Sequence, residues 1–105
     1  MNQVGEKTLY CIYILACGDG SLYTGMTNNL ARRLREHRAG RGAQWTKQRL
    51  PVQVAFALDG LAYRSAQAAE RYVKSLSRTR KDALVAQKPE MMALLKKRIQ
   101  RATGI

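Results

Sequence analysis

Ile12-Tyr13-Ile14-Leu15, then Ser21-Leu22-Tyr23-Thr24-Gly25-Met26-Thr27-Asn28-Asn29-Leu30-Ala31-Arg32-Arg33-Leu34-Arg35-Glu36-His37, carries two strand signals and a helix signal in close succession. Leu9 to Ala16 is almost continuously apolar, short for a helix, and ended by Gly18-Asp19-Gly20. It lacks strict alternation, so it reads as a strand covered on both faces. The Gly-Asp-Gly turn returns the chain through Ser21 to Gly25, which makes the pair a β-hairpin. The period of two puts Cys11, Tyr13 and Leu15 on one face. Asn28 or Asn29 can cap a helix to about Ala39, with Gly40 just past its end. On it, Leu30 and Leu34 form an apolar stripe, and Arg33 and His37 lie one turn apart on a neighbouring face.

Working outward, Gly40 to Leu50 reads as a glycine-rich basic loop with one aromatic, Trp45. Pro51 precedes a third strand, Val52 to Leu58, in which Val52, Val54, Phe56 and Leu58 alternate with less bulky residues and Asp59-Gly60 closes the run. Ser65 is a candidate cap for a helix to about Leu76. Thr79-Arg80-Lys81-Asp82 has capping-box spacing and predicts a third helix to about Ala86. Pro89 suits the first turn of a fourth, carrying Met91, Leu95 and Ile99 on one stripe and Lys96, Lys97, Arg98 and Arg101 over much of the rest. Met1 to Lys7 is polar and expected to be loose.

The 105 residues suit one small domain. Nineteen Lys+Arg against seven Asp+Glu give a net charge of +12. A small domain so basic repels itself when compact, and far less charge would serve solubility, so a polyanionic partner is expected. Nucleic acid is the first candidate and an anionic membrane surface the second. The C-terminal helix is a poor membrane binder, because its apolar stripe is narrow and has neither Trp nor Phe. Cys11 and Cys17, six residues of extended strand apart, sit ~20 Å from each other, beyond disulfide reach. They lack metal-ligand spacing and read as core thiols suited to a reducing cytoplasm. No signal peptide is visible, and no apolar run approaches the ~18 residues of a membrane span.

Tyr13-Ile14-Leu15, Asp19-Gly20-Ser21-Leu22-Tyr23-Thr24-Gly25 and Leu30-Ala31-Arg32-Arg33-Leu34 resemble the GIY-YIG nuclease domain. The closer likeness is to its short stand-alone bacterial members, the UPF0213 or YhbQ-like group. Gly42-Ala43 with Thr46, and Leu76-Ser77-Arg78 with Lys81, Ala83 and Leu84, belong to the same likeness. It covers roughly residues 9 to 86. It implies an α/β (α+β) fold, a small three-stranded antiparallel sheet flanked by helices in the order β-β-α-β-α-α, with the C-terminal helix added. The chain departs from the named motif at Cys11, where the first glycine would stand, and reads Tyr23-Thr24-Gly25 in the second motif. The asparagine that larger family nucleases carry after the glutamate helix has no clear counterpart.

The resemblance implies Tyr13, Tyr23, Arg33, His37 and Glu70 as catalytic residues, with Glu70 the ligand of Mg²⁺ or Mn²⁺. Each has chemistry to match. Glu70 is the only acid between Asp59 and Asp82, and a lone carboxylate completed by waters and phosphate oxygens is a typical magnesium arrangement. An ion pair with Lys74 is its alternative use. Arg33 offers a two-pronged fork to a phosphate oxygen where charge builds. Tyr13 is the first candidate for the base, but an ordinary tyrosine with pKa ~10 is protonated at neutral pH, whereas His37, the only histidine, could accept a proton directly. Trp45 either stacks on a base or anchors its loop to the core. Arg32, Arg35, Arg41, Lys47, Arg49, Lys74, Arg78 and Lys81 are the expected phosphate contacts beside it. The sequence therefore reads as a single-domain, metal-dependent endonuclease, monomer or weak dimer, nicking one strand of DNA rather than RNA with low sequence specificity. The alternative is a nucleic-acid-binding module that keeps the fold without catalysis.

Overall fold

The apolar run around Tyr13 forms the central strand of the sheet. In the computed structural model, which describes residues 8–102, strand β1 spans Tyr10–Cys17. It pairs antiparallel with β2 (Leu22–Thr27) on one side and with β3 (Val52–Leu61) on the other, giving the order β2-β1-β3. The helices are α1 (Leu30–Arg38), α2 (Gln44–Lys47), α3 (Tyr63–Ser75), α4 (Arg78–Val85) and α5 (Pro89–Ala102). Apart from the short α2, this is the expected α+β order. Residues 1–7, expected to be loose, lie outside the described residues.

β1 is buried on both faces, as its unbroken apolarity requires. Ile12 and Ile14 join Phe56, Ala69, Val73, Leu84 and Leu95 in one core, beneath α3, α4 and α5. Cys11, Tyr13, Leu15 and Cys17 face the other way and pack with Val52 against Leu30 and Leu34 of α1. Ile12, Ile14 and Leu15 are fully buried, and each contributes about 1.5–3 kcal/mol. Their sum outweighs any single helix cap, worth about 1 kcal/mol, so the central strand fixes the fold and the caps trim its edges. Both cysteines are free and buried. No helix of the described residues is long and apolar enough to cross a membrane.

Several local expectations need correction. Val52, Val54, Phe56 and Leu58 do not make one stripe. Leu15 pairs with Val54 and Ile14 with Phe56, so Ala55 is an extra residue on β3. Such a bulge switches faces: Val52 joins the Tyr13 side, Phe56 the Ile14 side, and Val54 is exposed. The strand also continues through Asp59-Gly60, where Gly60 takes a positive φ of 75° at a second irregularity opposite Tyr10 and Ile12. α3 starts at Tyr63 after Ala62, and Ser65 is buried within it rather than capping it. α4 is capped by Ser77, whose side chain accepts from the Arg80 amide at 3.3 Å, so Thr79 is not the cap. α1 is capped as expected: Asn29 Oδ1 accepts from the Arg32 amide at 3.0 Å, and Gly40 follows with φ 78°.

Candidate active site

The hairpin and α1 bring three rings together on the Tyr13 face of the sheet. Tyr13 and Tyr23 point the same way from neighbouring strands, with ring centroids 6.5 Å apart. His37, one helical turn beyond Arg33, meets both edge-on, at 6.0 Å from Tyr13 and 5.4 Å from Tyr23. The Tyr13 hydroxyl lies 3.1 Å from His37 Nε2, in hydrogen-bond contact. On the far side of the imidazole, Nδ1 lies 2.8 Å from Thr46 Oγ1 on α2. Tyr13, His37 and Thr46 are all essentially inaccessible to solvent.

Glycines make room for this packing. Gly25 pairs with Tyr13 across β1 and β2, and a Cβ on it would sit 2.5 Å from the Tyr13 hydroxyl oxygen. A Cβ on Gly42 would sit 2.3 Å from His37 Nδ1. Both distances are below any real Cβ contact.

Charge then tunes the rings. Burial pushes the Tyr13 phenol up to about 12, with Arg33 pulling it down and Tyr23 and Glu70 adding to the rise. Burial, with the Arg33 charge adding to it, holds His37 below its ordinary value, so the imidazole is neutral at neutral pH. Arg33 and Glu70 thus both bear on Tyr13 from different helices. The Arg33 guanidinium is held by Glu36 at 3.0 Å, and this pairing keeps the Glu36 carboxyl below its usual range. Glu70, on α3, is a quarter exposed and pairs with Lys74 at 3.3 Å.

The basic residues divide into two groups. Arg49 is engaged structurally: it pairs with Asp19 at 3.2 Å, donates to the Trp45 carbonyl and lies 4.0 Å over the Trp45 ring. Arg78 pairs with Asp82 at 2.9 Å. Among the described residues Arg32, Arg35, Arg41, Lys47 and Lys81 enter no salt bridge. Trp45 stacks on Tyr23 at 5.9 Å while remaining part-exposed, so it both anchors its loop and presents an aromatic surface. A cleft of about 320 Å³ opens beside it, lined by Leu22, Tyr23, Thr24, Trp45, Lys74 and Lys81. The Thr24 hydroxyl beneath is buried with no hydrogen-bond partner among the described residues. A larger hollow of about 550 Å³, along Tyr10, Cys11 and Asp59, contains none of the candidate catalytic residues.

Residues 9–83 match the model of the GIY-YIG catalytic domain. This chain belongs to the GIY-YIG family. It also belongs, within that family, with the UPF0213 proteins. It is 43% identical over 83 residues to a UPF0213 protein of Bacillus licheniformis, covering 79% of this chain and 86% of that one. It is 44% identical over 75 residues to a UPF0213 protein of Natronomonas pharaonis, covering 71% and 88%. The solution NMR structure of a UPF0213 protein of Bacillus halodurans superposes with a TM-score of 0.52 at 39% identity, over 76% of this chain and 85% of that one. GIY-YIG is a nuclease family, generally dependent on a divalent metal, so a nucleic-acid substrate and a metal are what membership suggests.

Sequence reasoning gave Thr46 and Gly42 no role in the site. Thr46 lies nine positions beyond His37, past a glycine turn, so no helical or strand periodicity links them. The signal was a small-residue pair, Gly42-Ala43, placed just before a lone threonine in a basic loop.

Proposed function

We propose that this GIY-YIG protein is a metal-dependent endonuclease that hydrolyses phosphodiester bonds, in DNA rather than RNA, nicking one strand with low sequence specificity. The observation that carries this reading is the Tyr13–His37 hydrogen bond, with Arg33 bearing on both residues. A phenol at about 12 does not ionise unaided at neutral pH. One bonded to a neutral imidazole can take a proton from water while passing its own to nitrogen. The attacking water becomes hydroxide-like, its proton moves to the Tyr13 oxygen, and the Tyr13 proton moves to His37 Nε2. Arg33 turns from Glu36 toward the phosphate and steadies its growing charge.

The chain's donors fit a magnesium-type ion. Among the described residues no group of three His, Cys, Asp or Glu could hold a metal, which argues against an all-protein cage. Glu70 gives one hard, part-exposed carboxylate, which suits an ion that keeps most of its waters. Bound there, the ion would supply charge stabilisation at the leaving oxygen. The part-exposed face of Trp45 and the lysines of the adjoining cleft supply a surface for a polyanion.

The test is nicking of supercoiled plasmid by wild type, Tyr13→Phe and Glu70→Ala, with Mg²⁺ and with EDTA. Cleavage by wild type with metal alone, and by neither variant, is expected. If no protein cuts but all retard DNA in a gel, the chain is a binding module on a nuclease fold.

A further inference from the structure

Thr46 sits on a helix of four residues, yet it is fully buried against His37. Its Oγ1 lies 2.9 Å from the Ala43 carbonyl oxygen and 2.8 Å from His37 Nδ1. A carbonyl oxygen only accepts, and a hydroxyl has one hydrogen. The Thr46 hydrogen therefore goes to Ala43, and Oγ1 is left to accept from His37. Nδ1 must then carry the imidazole proton. A neutral imidazole has only one, so Nε2, 3.1 Å from the Tyr13 hydroxyl, is an acceptor. The reverse arrangement, Thr46 donating to Nδ1, would leave the Ala43 carbonyl with the Lys47 amide as its donor. It would also set an Nε2–H against the Tyr13 oxygen and send the phenol hydrogen elsewhere. No other hydrogen-bond acceptor meets that hydroxyl among the described residues.

We infer that Thr46 is a positioning residue: it fixes His37 in the Nδ1–H tautomer and thereby makes Nε2 the acceptor for the Tyr13 proton. Gly42 completes the device, since any side chain there would strike Nδ1 and push the imidazole off Thr46. The groups facing His37 are Tyr13 and Tyr23 from the sheet, Arg33 and Glu36 from its own helix, and Thr46 from α2. Of these, only Tyr13 and Thr46 hydrogen-bond the ring nitrogens, and Thr46 is the one that meets Nδ1. The tautomer assignment stands on geometry alone, whereas its use in cleavage rests on the nuclease reading above.

His37 is the only histidine, so ¹⁵N-histidine labelling reports this one ring without assignment. Long-range ¹H–¹⁵N spectra at mildly alkaline pH should show wild type with Nδ1 protonated and Nε2 bare. Thr46→Ser should keep that pattern, and Thr46→Val should give mixed tautomers or protonated Nε2, with amide spectra confirming the fold of each. A wild-type ring protonated at Nε2 overturns the inference, whatever the variants do. So does a folded Thr46→Val protein with an unchanged ring. In plasmid nicking, Thr46→Val should lose about 10- to 100-fold, the scale of a weakened proton transfer, and Thr46→Ser should retain most of the rate. A Thr46→Val protein that nicks as wild type does overturns the positioning role. A wild type that does not nick overturns the nuclease reading, and the ring spectra still decide the tautomer.

Discussion

Gly25 stands directly across the β1–β2 ladder from Tyr13, and a Cβ on Gly25 would lie 2.5 Å from the Tyr13 hydroxyl oxygen. The glycine is therefore part of how the tyrosine is aimed. The Tyr13 ring is buried at both ends, by the sheet and by His37, so it cannot retreat. Gly25→Ala should break the Tyr13–His37 bond and cost about 1–3 kcal/mol as overpacking. Urea unfolding should show that loss, and nicking should fall about 100-fold. An alanine variant of wild-type activity would mean that the phenol's placement does not matter to the reaction.

The pH dependence of stability follows from two buried rings with opposite signs. His37 is held below its ordinary value of 6.5 in the folded chain. The unfolded chain therefore binds the extra proton first. The stability this gives is present above about pH 6.5 and is lost as pH falls below it, at up to about 1.4 kcal/mol per pH unit. Tyr13 is raised to about 12 from 10. Its contribution is full below pH 10 and is lost as pH rises from 10 toward 12. Unfolding free energy against pH should thus fall off on both sides. His37→Asn should flatten the shoulder just below pH 6.5, and Tyr13→Phe should flatten the alkaline one. An acid shoulder unchanged in His37→Asn would mean that His37 is not buried neutral.

What was legible in the sequence follows the strength of the local signal. The doubly buried strand, the Asn29 cap, the Gly40 exit and Pro89 at the start of α5 each have a local physical cause, and each stands where expected. The start of α3 was not legible, because Ala62 makes no side-chain cap and Ser65, which looks like one, is buried inside the helix. The bulge at Ala55 left no trace in residue types, since Val and Ala suit either face. In the site, the two tyrosines and His37 were placed together by motif order, and the structure brings their rings into contact. Gly42 and Thr46 stood out only as part of the family likeness, and their seating of His37 was out of reach, because a single hydrogen bond between two separate helices carries no periodicity.

Binding to nucleic acid should be electrostatic and divided unevenly among the basic residues. Among the described residues Lys81 enters no salt bridge, and Lys74 is shared with Glu70, while Arg49 is committed to Asp19 and Trp45. Plots of log K against log salt for a short DNA should lose about one unit of slope in Lys81→Ala. Arg49→Ala should instead loosen the Trp45 loop, lowering stability by about 1 kcal/mol through its lost packing and hydrogen bond. Equal slope changes for the two variants would contradict this division.

Lys74 raises the question of whether its ion pair blocks Glu70 from metal. The pair is 3.3 Å long, and Lys74 is more than half exposed. Exposed i,i+4 pairs are worth about 0.3–0.5 kcal/mol, a factor of roughly two in an equilibrium constant. A hydrated divalent ion displaces such a partner easily. Lys74→Ala should therefore lower the Mn²⁺ concentration needed for half-maximal nicking by no more than about twofold, while weakening DNA binding. Glu70→Gln keeps the shape but gives up the charge, so it should abolish metal-dependent nicking and leave DNA retardation at or above the wild-type level. Stability should change by less than about 0.5 kcal/mol, since only an exposed pair is lost. Mn²⁺ titration followed by calorimetry separates the two effects. A Glu70→Gln protein that binds Mn²⁺ as wild type does would move the metal away from this carboxylate.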